Sequence, residues 1–485
     1  MPDLAAPDYQ VARYLIERGL AALYLVAFVV AWRQFPALCG ERGLEPAPRF
    51  LEAVPRFLDA PTLFRWLGYS DAKLRAVAGA GAGVALALLA GLPQSPALPV
   101  DAGLAATMLA WFVLWALYQS IVNIGGSFYS FGWETLLLEA GFLAIFLGNA
   151  AIAPPILVLF LFRWLAFRVE FGAGLIKLRG DRCWRDLTCM DFHHETQPMP
   201  NPLSWLFHKL PRGLHRIETI GNFVAQLVLP FGLFLPQPFA TAAAILMLLT
   251  QLYLVVSGNY AWLNWVTIVV MTAAIADPVL QAFLPFATTP TAAFAATPAW
   301  FTIAGVALAL LVVVLSWFPV RNLLSPRQAM NASFDPFRLV NTYGAFGSVS
   351  RSRDEVIVEG TDAESLDAGT AWIEYEFKGK PGDVRRLPGQ YAPYHLRLDW
   401  LMWFLPLSSQ YGERWFVPFL VKLLEGDRAT LALLRGNPFP DRPPRFVRAL
   451  LYRYRFTTWR ERRETGAWWS RSLIGEYVQP IRLRS

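Results

Sequence analysis

Residues 155–176 read Pro155-Ile-Leu-Val-Leu-Phe-Leu-Phe-Arg163-Trp-Leu-Ala-Phe-Arg168-Val-Glu170-Phe-Gly-Ala-Gly-Leu-Ile176, and Lys177 comes directly after them. A helix of roughly 20 mostly apolar residues crosses the hydrocarbon core of a bilayer, so this stretch predicts a membrane span. Its charges are out of place there, because an ionised side chain at bilayer depth costs several kcal/mol. Stretches 13–33, 76–93, 103–122, 134–152, 218–236, 240–257, 260–277 and 299–318 have the same apolar character. Pro154-Pro155 and Pro236-Gln237-Pro238 break the longer runs into hairpins. The fold class expected is therefore a membrane protein, a polytopic α-helical bundle of about nine spans over residues 1–320.

Composition points the same way. The 485 residues are 55% hydrophobic, 14% aromatic and 16% charged, whereas an ordinary soluble domain has about a quarter charged residues. These figures exclude a disordered chain, a collagen, a coiled coil and a small disulfide scaffold. Lys and Arg balance Asp and Glu over residues 1–320, so the whole net charge of +7 lies in residues 321–485. That distribution gives no reason to expect a nucleic-acid partner; the bilayer itself is the first partner implied.

From about residue 320 the pattern changes. Val356–Glu359, Ala371–Phe377 and Tyr452–Phe456 alternate apolar and polar residues as half-buried strands do. Leu398–Leu405, Trp415–Leu424 and Arg428–Leu434 read as helices. Residues 321–485 are thus expected to form a β-rich extramembrane domain with inserted helices. Its Trp400, Trp403, Trp415, Trp459, Trp468 and Trp469 suit either a membrane-interface position or the domain's own core.

Two loops between spans are long and basic, 34–75 and 177–217. Positive-inside counting puts both, with the C-terminus, on the cytoplasmic face. Glu134 and Glu139 open the fourth span, and a five-residue offset keeps them off one narrow helical face. Arg163 and Arg168 are natural partners for Glu139 and Glu170. Either such pairs fix the helix register, or they line a polar cavity. The second alternative is motivated by the dense run of polar residues beyond the helix: Lys177, Arg179, Asp181, Cys183, Trp184, Asp186, Cys189, Asp191, His193, His194, Glu195, Gln197 and Asn201. Burial of Lys177 at a helix end would favour its neutral amine, a base.

His193, His194 and Glu195 are consecutive, so their side chains fan apart, and neither H-E-x-x-H nor C-x-x-C occurs. No metal site is expected. A Gly-x-Ser-x-Gly elbow is absent too, which argues against a serine hydrolase. Cys183 and Cys189 either bridge, if their loop faces an oxidising compartment, or remain buried thiols; Cys39 is left odd.

The motifs Tyr129-Ser-Phe-Gly-Trp-Glu-Thr-Leu-Leu-Leu-Glu-Ala-Gly-Phe-Leu, Arg163 to Pro202, Ser257-Gly-Asn259-Tyr260, Leu339-Val-Asn341-Thr-Tyr343-Gly, Glu374-Tyr-Glu-Phe, Arg397-Leu-Asp399-Trp400-Leu-Met-Trp403-Phe and Trp468-Trp469 resemble the lipase maturation factor family. The resemblance implies an integral membrane protein that assists folding and assembly of secreted lipases or other exported clients. It lies in the endoplasmic reticulum membrane for eukaryotic relatives, or in the inner membrane of a bacterium. The family topology places loop 177–217 and the C-terminal domain on the lumenal or periplasmic face, opposite to the charge count. A shorter stretch, Ala173-Gly174-Leu-Ile-Lys177-Leu178, is similar to vitamin-K-dependent γ-glutamyl carboxylase and its horizontally transferred transmembrane-domain relatives, and implies a base role for Lys177.

These residues support two functional readings. In the first the protein is a non-enzymatic maturation factor without a cofactor. Arg179, Trp184, Asp186, Glu195, Gln197, Asn201, Asn259, Tyr260, Asp399, Trp400 and Trp403 then contact the client. In the alternative it is an intramembrane enzyme acting on a quinone-like or other lipid-soluble molecule. Lys177 is then the base, Asp181 or Glu134 its orienting partner, His193 or His194 an accessory acid or base, and Glu139 and Arg168 members of the same site.

Overall fold

The computed structural model describes residues 4–94, 98–284 and 294–483. Five helices among them are long and apolar enough to cross a membrane: Pro7–Cys39, Asp71–Leu89, Val100–Val122, Phe239–Ser257 and Ala299–Leu324. The other four expected spans are also helical, but differently built. Gly132–Ala144 has 13 residues, fewer than a crossing needs. Ile156–Arg179 has 24 residues and keeps its charges along its length. The Arg212–Phe223 helix runs into a π-helical turn, Val224–Val228, and Leu263–Met271 tightens into the short turn Thr272–Ala274. Length and composition alone therefore support five crossings, with shorter or charged helices packed among them.

Close packing of the Ile156–Arg179 helix depends on its Gly-Ala-Gly run. A methyl group at Gly172 would lie 2.3 Å from the Tyr343 carbonyl oxygen. One at Gly174 would lie 2.7 Å from Leu227 and 2.9 Å from Gln226. Only hydrogen at these Cα atoms lets the 340s segment and the π-helical turn approach the helix so nearly.

In the C-terminal part four strands form an antiparallel sheet: β1 (Arg353–Thr361), β2 (Ile373–Glu374), β3 (Phe446–Phe456) and β4 (Trp469–Ile481), in the order β2-β1-β3-β4. The expected strand over Ala371–Phe377 shrinks to the two residues of β2. β4 has no counterpart among the expected strands; its mixed sequence, with Gly475 and Pro480, suits an edge strand that packs few side chains. The helices appear at Arg397–Met402, Phe416–Leu424 and Arg428–Leu431. Trp415 and Trp469 fill core, and Trp459 is 55% exposed.

The sheet grips the polar loop. Buried Arg353 pairs with Glu355, which also meets Lys380, and donates to the carbonyl oxygens of Glu195, Gln197 and Pro198. Trp205, from the same loop, joins the core cluster of Ile357, Tyr454, Phe456 and Trp469.

Candidate functional site

A cavity of about 520 Å³ opens where the helices meet the C-terminal part. One wall is the Ile156–Arg179 helix, which contributes Glu170 and Lys177, seven residues apart. Two helical turns separate them, so both project to the same side. Lys177 Nζ donates to Gln226 Oε1 at 2.8 Å and to Asn222 Oδ1 at 3.2 Å. Both acceptors come from the helix that holds the π-turn, a feature that often marks functional positions. Asn264 donates to Gln251 at 2.7 Å, and Gln251 donates to Glu170 at 2.6 Å. Among the described residues neither Lys177 nor Glu170 has an oppositely charged partner within ion-pair distance. The rest of the wall is largely aromatic, including Trp133, Trp184, Tyr260, Trp400 and Trp403. The Trp184 ring lies 5.3 Å from Lys177 Nζ, in cation–π range.

His193 also lines the cavity, and its hydrogen bonds fix its tautomer. Gln197 Nε2 donates to the carbonyl oxygens of His194 and Ser257 and to Ser204 Oγ. Its Oε1 therefore accepts from the Tyr260 hydroxyl at 2.6 Å. That hydroxyl proton being used, His193 Nε2 must be the donor to Tyr260 Oη at 3.0 Å. Burial, then the neighbouring His194 and Lys177, push the His193 pKa down to about 3. The ring is neutral at physiological pH, with its Nδ1 lone pair unprotonated.

The remaining charged candidates go elsewhere. Glu139 and Arg168 pair with each other, and both hold the 340s segment: Glu139 accepts from Asn341 N at 3.1 Å, Asn341 Nδ2 at 2.9 Å and Tyr343 Oη at 2.7 Å, while Arg168 donates to Asn341 O at 2.7 Å. Glu134 is bound by Arg397 at 2.7 Å and by the Tyr118 hydroxyl. Arg163, expected beside an acid, donates instead to the Ala273 and Leu233 carbonyl oxygens. Asp181 caps the short Arg182–Arg185 helix and pairs with Arg351 at 2.8 Å. Neither Asp181 nor Glu134, the two orienting partners considered for Lys177, lies in the cavity wall.

Of the residues expected to meet a client, Trp184, Tyr260, Trp400 and Trp403 line the cavity. Others hold backbone. Arg179 donates to Leu323 O and Gln328 Oε1, and Asn201 receives the N–H groups of Leu203 and Ser204. Asn259 receives those of Tyr391 and Ala392, and Asp399 those of Gly379 and Lys380. Glu195 accepts from Phe456 N at 2.6 Å, and burial raises its carboxyl pKa. Asp186 makes only a surface pair with Arg182. Cys183 and Cys189 are joined in a disulfide, and Cys39 is free and buried.

Sequence reading passed over Gln226, Asn222, Gln251 and Asn264, the amides that partner the two cavity charges or each other. The signal was present, since amide side chains inside apolar helices are rare and face an interior or a wet cavity.

Comparison with known proteins agrees with the motifs. A model of the lipase maturation factor transmembrane domain matches residues 11–282, and one of the C-terminal domain of the same family matches residues 339–479. The chain is 42% identical to lipase maturation factor 1 of Bos taurus, over 99% of its own length and 90% of that protein. It is 41% identical to lipase maturation factor 1 of Homo sapiens, over 98% of its length and 88% of that protein. Identity to lipase maturation factor 2 of Mus musculus is 28%, over 98% and 83%. No solved structure matches it. Matched across both of its parts, this membrane chain belongs to the lipase maturation factor family.

Proposed function

We propose that the chain is a membrane-embedded maturation factor for a secreted lipase, acting on the client without chemical modification. The observation that carries this is the near-complete match to the mammalian lipase maturation factors 1, through the transmembrane part and the C-terminal part alike. The architecture suits such work. Loop 177–217 and the sheet form one body through Arg353 and Trp205, and Trp459, Leu473 and Ile474 stay exposed on it. Exposed apolar groups outside the lipid are what a partly folded client can bind. The reading requires no cofactor.

On this reading the loop and the C-terminal domain face away from the cytoplasm, into the lumen of the endoplasmic reticulum or, in a bacterium, the periplasm. The Cys183–Cys189 disulfide supports that side, because disulfides persist in oxidising compartments. The basic residues that argue otherwise by count are in part engaged in structure, as Arg179 is. The test is deletion of the gene in a cell that secretes a lipase. The activity per unit of secreted lipase antigen should fall several-fold with the transcript unchanged; equal specific activity overturns the proposal. An impermeant thiol reagent applied to cysteines engineered near 190 and 360 reads the orientation.

A further inference from the structure

Beside the cavity, two short helices face each other with matching patterns. Met190–Thr196 carries Asp191 and His194, and Arg212–Phe223 carries His215 and Glu218. Each pair is spaced i, i+3, so each helix points a carboxylate and an imidazole in one direction. His194 Nε2 lies 3.5 Å from Glu218 Oε2, and His215 Nδ1 lies 2.9 Å from Asp191 Oδ1. Donor atoms of His194, His215 and Glu218 all fall within 4.8 Å of one another.

We propose that Asp191, His194, His215 and Glu218 form a binding site for one divalent transition-metal ion, zinc being the first candidate. Four observations carry it. Once His215 gives up the proton it shares with Asp191, the two carboxylates and two imidazoles bring a charge of −2, which a divalent ion cancels. Imidazole and carboxylate together are the ligand set of zinc and non-haem iron sites. Ligands about 2.1 Å from one tetrahedral ion lie about 3.4 Å apart, so His194, His215 and Glu218, now within 4.8 Å of one another, need to close by about an ångström, with Asp191 following His215. Lastly, the buried His194 ring lacks a good hydrogen bond: Nδ1 has no partner, and the contact to Glu218 at 3.5 Å is too long to be strong. An ion at either ring nitrogen would give this buried imidazole a strong bond that it lacks.

The surroundings resemble the outer shell of a metal centre. His215 Nε2 donates to the Phe207 carbonyl oxygen at 3.1 Å, which orients Nδ1 toward the Asp191 carboxylate at 2.9 Å, where an ion would replace the proton between them. The Tyr253 hydroxyl holds the other oxygen of Glu218. The Cys183–Cys189 bridge ends one residue before the Met190–Thr196 helix and anchors it. Glu218 also lines the cavity, so the site borders the space that Lys177 faces. The consecutive His193, His194 and Glu195 do fan apart, as their spacing requires; the ligands come from the i, i+3 pairs instead.

The test is cobalt(II) and zinc(II) titration of the tag-free, full-length protein in detergent, after chelation. One equivalent of cobalt should bind, with the visible absorption of a four- or five-coordinate nitrogen and oxygen site. His194→Ala and Glu218→Gln should each weaken it more than about tenfold. X-ray absorption of the zinc form should count two imidazoles, a readout that needs no variant to fold. Absence of stoichiometric binding, unchanged affinity in both variants, or fewer than two imidazoles overturns the proposal and leaves the four residues as a hydrogen-bonded network.

Discussion

Two regions of the same helix hold buried charge in opposite ways. At Arg168 the Ile156–Arg179 helix is sealed to Glu139 and to the 340s segment, charge against charge, with Asn341 and Tyr343 completing the bonds. Further along the helix, Lys177 faces a cavity and hydrogen-bonds the amides of Gln226 and Asn222 beside the Trp184 ring, while Glu170 accepts from the Gln251 amide. In the first region the charges are used up in holding two parts of the chain together. In the second they are solvated by neutral dipoles and stay able to interact with something else. In this helix the pairing separates charges that join two parts of the chain from charges that border the cavity.

The contrast can be broken most strongly at the seam. Arg168→Met leaves Glu139 buried without its cation, a change that costs about 3–5 kcal/mol. It should show as loss of monodisperse protein in detergent. Replacing both Cys183 and Cys189 by Ser opens a bridge across a sequence separation of 6. For so short a loop the loss should be about 2 kcal/mol, read as a lower thermal midpoint and faster proteolysis near residue 186.

Acid sharpens the comparison at the cavity. His193 is neutral in the folded chain down to about pH 3, against 6.5 for an ordinary histidine. As pH falls below 6.5 the unfolded chain takes up a proton that the folded chain refuses. Stability from this residue is thus complete above that value and declines toward pH 3, by at most about 1.4 kcal/mol per pH unit. His193→Gln should flatten the pH dependence of denaturation between pH 7.5 and 5. The smallest effect on stability is expected at Lys177→Gln, within about 1 kcal/mol, because no ion pair within bonding distance is lost. Client maturation should nevertheless fall; a loss of folding as large as that of Arg168→Met would erase the distinction between the two regions.

Several of these features are readable in the chain itself. Arg168 is a natural partner for Glu139, and the spacing of Glu134 and Glu139 sets them on different faces; they bind Arg397 and Arg168 respectively. The stretch beyond Lys177 is the densest polar motif, and it does wrap the cavity at Trp184 and His193. Other features are hidden for a physical reason. Arg397 lies more than two hundred residues from Glu134, and nothing local to either announces the other. β4 pairs with β3 along its length although its own sequence barely alternates, since an edge strand is held by backbone bonds more than by buried side chains. The proposed metal-ligand pairs are hidden because each i, i+3 pair is only half a site, and the two helices meet only on folding.

By itself the sequence determined the class of molecule, a set of apolar helices followed by a strand-containing region, together with its family. Transfer of side chains into lipid depends on length and composition, which are local and nearly additive quantities. Only the tertiary structure decided where each buried charge goes, which of them seal the two parts together and which border an open space. That choice depends on the group a side chain meets across the packed interior, and no neighbour in the chain records it.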